Sequence, residues 1–232
     1  SGGSVLRHVW KGHLMEGDMG MRYKGVIFDL DGVICSTDEL HYLAWKEIAD
    51  RCQIPFDREM NDQLRGVSRM ESLERILSRG RGEWTQEQKQ RLAEEKNARY
   101  RELLGTLSEE DILPGVPETL QALRARGLAL AIGSSSKNAV AILERLGLSG
   151  WFDAVADGTQ IKRSKPDPEV FLLAAEKLGL PAADCLVVED AQAGIQAAQA
   201  GGMDAASVGP AAKQAIGTYQ LETIYDLLAL FK

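Results

Sequence analysis

The stretch "VIFDLDGVICSTDELHYLAWKEI", Val26 to Ile48, runs from an apolar segment through two aspartates and a glycine into an amphipathic helix. In an extended strand Asp29 and Asp31 share one face, while Leu30 points to the other. Two carboxylates on one side repel each other unless something positive lies between them. The stretch therefore asks for a cation at the end of a strand.

Further along the chain, short apolar runs alternate with helical patterns. The runs are "KGVIFDL", "LALAIGSSS", "DAVADG", "CLVVED" and "DAASVG", and after residue 112 they are separated by segments such as "KNAVAILERLGL" and "PDPEVFLLAAEKLGL". Repeated strand and helix predict an α/β fold: a Rossmann-like, doubly wound parallel sheet with helices on both faces. Between Asp38 and Ser108 the alternation stops, and the pattern predicts helices over 39–51, 60–64, 69–78 and 86–104. This divides the chain into an α/β core, residues 21–37 and 109–232, and an inserted helical cap, residues 38–108.

Residues 1–20, "SGGSVLRHVWKGHLMEGDMG", have no periodicity and read as an expression leader. With 44% hydrophobic and 26% charged residues the chain has a globular composition, and no apolar run approaches the ~20 residues that span a bilayer. A net charge of -7 without a basic tract argues against nucleic acid as the main partner. Cys35, Cys52 and Cys185 show no CxxC spacing, so a reducing cytoplasm is expected rather than a disulfide framework or a structural zinc site.

In an open parallel sheet, ligands bind outside the carboxyl ends of the strands. Asp29 and Asp31, "GSSSKN" (Gly133 to Asn138), and "VVEDAQAG" with Glu189 and Asp190 fall at such ends, and "KRSKPDPEVF" adds Lys165. Four carboxylates at one edge need a cation, and hard oxygen ligands suit Mg2+. The serine-rich turn offers hydroxyls and backbone N–H groups to an anion. Metal, anion cradle and carboxylate nucleophile together point to phosphoryl transfer through an aspartyl phosphate. Simpler readings exist: Ser134 and Ser136 are good helix N-caps, Glu189 and Asp190 also suit an N-cap, and Trp45 suits a helical core.

The motifs "DLDGV", "GSSSKN", "KRSKPDP" and "VVEDAQAG", in this order from about residue 22 to 209, resemble the haloacid dehalogenase superfamily. The helical insert, with "RGVSRMESL" from Arg65, is similar to the subgroup that contains beta-phosphoglucomutase. The resemblance implies that Asp29 is phosphorylated and that Asp31 serves as general acid and base. It implies Mg2+ held by Asp29, the Asp31 backbone carbonyl and Asp190, with Glu189 nearby. Ser134 and Lys165 would hold the transferring phosphate, and Arg69, Ser136, Lys137 and Asn138 the distal one. His41, Trp45, Arg65 and Ser72 complete the expected substrate contacts, closing over the sugar to exclude water.

The implied activity is conversion of beta-glucose 1-phosphate to glucose 6-phosphate through glucose 1,6-bisphosphate, by a monomer acting on a phosphorylated hexose. A sugar-phosphate phosphatase and a non-catalytic sugar-phosphate sensor are the alternatives. The chain departs from the subgroup at Cys35-Ser36-Thr37, where Thr-Asp-Thr is common and where Ser36 is left to cap the next helix, and at Arg65, where lysine is common.

Overall fold

A computed structural model describes residues 22–65 and 67–231; the expected leader lies outside them. The chain forms two compact units, one holding the residues up to Ser36 and from Ser108 onward, the other Thr37–Leu107.

The first unit is an α/β sheet domain. Its strands are β1 (Gly25–Phe28), β2 (Ala129–Gly133), β3 (Ala154–Ala156), β4 (Cys185–Glu189), β5 (Asp204–Ser207) and β6 (Tyr219–Gln220). They pair in parallel in the order β3-β2-β1-β4-β5-β6, with Ile27 level with Ala131 on one side and Val187 on the other. The strand order reverses at β1, so the loops after β1, β2 and β4 leave the same sheet end side by side. Two residues of β6 and a short helix at Gly209–Lys213 extend the fold beyond the five strands predicted from apolar runs.

Parallel strands in the middle of a sheet are buried on both faces, which explains their unbroken apolar runs. On one face Ile27, Ala131 and Val187 meet Val170, Phe171 and Ala174, and also Ile195 and Ala198. Each fully buried large side chain contributes about 1.5–3 kcal/mol. On the other, Phe28 lies edge-on to Phe152, with ring centroids 6.3 Å apart.

The second unit is helical: α1 (Asp38–Arg51), α2 (Arg58–Asp62), α3 (Arg69–Leu77) and α4 (Gln86–Leu104). Its core comes from one side of each helix, with Tyr42, Trp45, Ile48 and Ala49 of α1 against Leu73, Ile76 and Leu77 of α3 and Ala93 of α4. Ser68 caps α3, and Thr85 and Gln88 form a capping box on α4. The cap expected from Ser36 is not made: Thr37 holds the N-cap position of α1, without a side-chain bond to the helix.

The later helices of the sheet domain are α5 (Val116–Ala125), α6 (Ala139–Arg145), α7 (Glu169–Leu178), α8 (Gln192–Ala200) and α9 (Gly209–Lys213). No helix among the described residues is long and apolar enough to cross a membrane.

Candidate active site

The strand carrying the two aspartates stops at Phe28, one residue before the first of them. Asp29 and Asp31 therefore lie in a tight turn, and the strand alternation that put them on one face does not reach them. The turn is closed by Gly32 N–H donating to the Cys35 carbonyl at 2.7 Å and by Ile34 N–H donating to that of Leu30 at 2.9 Å. The Asp29 carboxylate accepts from Leu30 N–H at 2.8 Å, which fixes its rotamer at the sheet end.

The positive charge the sequence asked for is Lys165. Its ammonium donates to Asp29 Oδ1 at 2.9 Å, to Glu189 Oε2 at 2.9 Å and to the Gly133 carbonyl at 3.0 Å. Phe171 lies beneath it, its ring centroid 4.6 Å from Nζ. One side chain thus joins the ends of β1, β2 and β4. Burial works against the ammonium, but Asp29 and Glu189 outweigh it and the Lys165 pKa is raised.

One lysine does not balance the acids. Asp29, Glu189 and Asp190 each offer a carboxylate oxygen, all within 4.8 Å of one another. Burial, and then the charge of Asp29, pushes the Glu189 pKa well up and that of Asp190 to about 6. Three carboxylates around one ammonium leave room for two further positive charges, and the all-oxygen donor set fits a hard dication. The Asp31 carboxylate is not in this group, so only the backbone carbonyl remains as the contribution expected from that residue.

The surroundings are shaped to the carboxylates. A Cβ on Gly32, whose φ is +86°, would lie 1.9 Å from Asp190 Oδ2, and one on Gly194 would lie 2.0 Å from the Glu189 carboxyl. Glu189 Oε1 also accepts from Asp190 N–H at 3.1 Å and Ala191 N–H at 3.3 Å. Neither acid caps α8, whose N-cap position is held by Ala191.

The serine turn is built by its own hydroxyls. Ser134 Oγ accepts from Ser136 N–H, and Ser136 Oγ from Asn138 N–H, both at 3.1 Å. The serines do not cap α6, which starts after Asn138 without a side-chain bond. Each hydroxyl accepts with its lone pair and keeps its O–H to donate to an anion. Ser134 is buried beside the lysine's carbonyl partner, whereas Lys137 is exposed.

The helical unit brings together a different group. Lys96 of α4 is 4% exposed, and its ammonium lies 2.8 Å from His41 Nδ1, 4.8 Å from the Trp45 ring centroid and 4.7 Å from that of Tyr100. His41 stacks on Tyr100 with centroids 4.1 Å apart. Burial, together with the charge of Arg69, lowers the Lys96 pKa to about 7. Burial, then Lys96 and Arg69, holds His41 well below its usual value, and burial lowers Arg69. No carboxylate offsets these charges among the described residues.

Lys96 was not a sequence-predicted site residue, since a charged helix reads as a wet face. The signal was its spacing: it stands four residues after Leu92 and four before Tyr100, on the apolar side of α4. The other cap candidates are placed differently. Trp45 and Ser72 are 3% exposed inside the helical unit, Trp45 in its apolar core and with its ring against Lys96. Arg65 pairs with Asp38 at the start of α1, and with Asp62 at 3.6 Å. Cys35 is buried, and burial followed by the charges of Asp31 and Asp29 raises its pKa, which suits packing rather than attack.

A lysine-bridged acid cluster at the switch point of a parallel sheet, beside a serine turn, defines a phosphoryl-transfer class of site, and the chain belongs to the haloacid dehalogenase-like hydrolases, whose family model matches residues 23–202. Within that family it is 48% identical to the beta-phosphoglucomutase of Bacillus subtilis over 188 residues, 80% of this chain and 83% of the relative. It is 36% identical to a fructose-1-phosphate phosphatase of Escherichia coli, over 81% of this chain and 97% of that one. The crystal structure of a beta-phosphoglucomutase from Clostridium difficile matches with a TM-score of 0.78 and 38% identity, over 90% of this chain and 97% of the other.

Proposed function

We propose that this chain is a magnesium-dependent sugar phosphomutase that interconverts beta-D-glucose 1-phosphate and glucose 6-phosphate in the cytoplasm. The observation that carries the reading is the pair of complementary groups: an acid cluster with one lysine, and a separate cationic group with no acid among the described residues. A mutase handles a bisphosphorylated sugar and needs one reactive and one purely binding anion site. A phosphatase needs only the first.

In the reaction, an oxygen of Asp29 attacks the phosphorus of glucose 1,6-bisphosphate and the bond from phosphorus to the sugar oxygen breaks. Asp31 gives its proton to that oxygen. Asp31 then takes the proton of the C6 hydroxyl of a beta-glucose 1-phosphate as that oxygen attacks the phosphorus of the phospho-aspartate and the bond from phosphorus to Asp29 breaks. This re-forms glucose 1,6-bisphosphate, whose C1 phosphate passes to Asp29 in the next turn, releasing glucose 6-phosphate. Lys165 holds the nucleophile at 2.9 Å and meets charge developing on the transferred group. Ser134 donates its hydroxyl to the same group. Asp29, Glu189, Asp190 and the Asp31 carbonyl would hold Mg2+, which supplies positive charge to the phosphoryl oxygens.

Arg69, Lys96 and the His41 Nε2–H offer donors to the phosphate that does not react. A neutral imidazole accepting from Lys96 at Nδ1 carries its proton on Nε2.

The test is an assay with beta-glucose 1-phosphate, Mg2+ and a trace of glucose 1,6-bisphosphate that follows glucose 6-phosphate and free phosphate together. Glucose 6-phosphate with little free phosphate is expected. Stoichiometric free phosphate would replace the mutase by a sugar-phosphate phosphatase, the reading favoured by the 36% identity to the fructose-1-phosphate phosphatase.

A further inference from the structure

Lys165 reaches its partners from irregular chain, not from a strand or a helix. Residues 157–168, between β3 and α7, have no regular secondary structure. A side chain that must meet two carboxylates and a carbonyl needs its backbone held to within about 0.5 Å. Its own backbone is held weakly: Lys165 N–H donates to Ser135 Oγ at 3.4 Å.

The stronger hold lies just ahead of it. Glu169, the first residue of α7, turns its carboxylate back over the loop. Oε1 accepts from Lys162 N–H and Oε2 from Arg163 N–H, both at 2.9 Å. A fork of this kind fixes two successive peptide planes, a geometry that one bond alone would leave free to rotate. The two backbone bonds also hold the Glu169 pKa below the usual carboxylate range.

The helix that carries Glu169 is itself immobilised. Val170 and Phe171, next in sequence, are fully buried against the sheet. Phe171 is also the ring beneath the Lys165 ammonium. One rigid helix thus sets both the loop that leads into the lysine and the surface on which its charge rests.

We infer that Glu169 is a positioning residue for Lys165, acting through the Lys162 and Arg163 backbone without touching substrate or metal. The inference rests on the phosphoryl-transfer reading of Lys165. A carboxylate in the first turn of a helix also interacts well with the helix dipole. That role would shift stability and leave the chemical step alone.

The experiment compares Glu169→Ala, Glu169→Gln, Lys165→Ala and the double variant Lys165→Ala/Glu169→Ala, with Glu176→Ala as a control that removes an acid elsewhere on α7. Turnover of beta-glucose 1-phosphate and hydrolysis of para-nitrophenyl phosphate are measured with Mg2+, alongside thermal unfolding. Glu169→Ala is expected to lower kcat roughly 10-fold to 100-fold, as a displacement of about 1 Å does, with KM nearly unchanged. Glu169→Gln, which keeps one acceptor, should recover part of the loss, and Glu176→Ala should match the wild type. In the Lys165→Ala background, removing Glu169 should cost nothing further, because residues acting as one unit are not additive.

Unchanged kcat in Glu169→Ala with a lowered unfolding midpoint would overturn the inference in favour of the dipole role. So would a full multiplicative loss in the double variant. If Glu169→Ala does not fold, Glu169→Gln with wild-type kcat has the same meaning. Hydrolysis of para-nitrophenyl phosphate without sugar turnover removes the mutase reading and still tests the inference through the aryl ester. A wild type that acts on neither compound overturns both.

Discussion

The end of the sheet and the interior of the helical unit face the same electrostatic problem with opposite signs. At the sheet end, three carboxylates, two of them buried, gather around one ammonium that bonds Asp29 and Glu189. In the helical unit, a buried lysine and a half-buried arginine sit beside an imidazole with no acid among the described residues to meet them. Burying unbalanced charge is unfavourable, and folded proteins keep it where a ligand completes the set. The sign of each imbalance then names the class of ligand: a cation for the first group, an anion for the second.

Removing the nucleophile should give the largest effect. Asp29→Asn is expected to lower turnover roughly ten-thousand-fold in the coupled assay, while Arg69→Ala, in the other group, should act mainly on KM. Equal effects on kcat from the two variants would erase the distinction between a reacting and a binding site. Next is Lys165→Met, which leaves Asp29 and Glu189 facing each other without their ammonium. Breaking a buried pair in this way costs about 3–5 kcal/mol, to be read from denaturant unfolding.

Mg2+ should offset the acid cluster. At a hundredfold excess over its Kd it should stabilise the fold by about 2.7 kcal/mol. The Asp190 pKa of about 6 lies above its ordinary 3.8. Its contribution to the metal-free protein is therefore present below about pH 4 and lost as pH rises through 6. Metal binding requires the carboxylate, so the Mg2+ stabilisation should be full near pH 7.5 and fade below 6. A shift in unfolding midpoint independent of pH would break the link between the metal and these acids.

The cationic group should respond in the opposite direction. The Lys96 pKa of about 7 lies below its ordinary 10.5, so the unfolded chain binds more protons between those values. Wild-type stability should rise relative to Lys96→Met across that window, by on the order of 1–2 kcal/mol once its ring contacts are counted. The KM for the sugar phosphate should increase above pH 7 in the wild type and stay level in Lys96→Met. The smallest effect is expected from Thr85→Ala, which breaks the capping box of α4 and costs about 1 kcal/mol. It should loosen the helical unit while leaving Mg2+ affinity at the sheet end intact.

Much of this contrast is legible in the sequence, and the illegible part has physical causes. The central strands are written as short apolar runs because both of their faces are buried. β6 has only two residues and leaves no run to find. Asp29, Glu189 and Asp190 stand where strands end and Lys165 in the loop before α7, and chain order alone brought them within view of one another. Periodicity misled at Asp29 and Asp31, because the turn begins one residue earlier than alternation assumes. Lys96 escaped because its charge suggested solvent, although its place on the helix was apolar. Trp45 was ambiguous in the sequence, since the same spacing serves a core or a pocket, and only burial decides between them.

The ends of the inserted segment are stitched together inside the sheet domain. Cys35 pairs with Ile112 in an antiparallel bridge, and Leu113 N–H donates to the Ile34 carbonyl at 2.9 Å, so the chain leaves the sheet domain and returns to it at neighbouring points. The 71 residues of insertion, Thr37–Leu107, therefore start and end close together, and the cost of closing a loop grows only slowly with its length. The hydrogen bonds that close the stitch lie within the sheet domain itself. In evolutionary terms, the segment between the two stitched points is an insertion whose replacement would leave the contacts of Lys165 with Asp29 and Glu189, all made within the sheet domain, untouched.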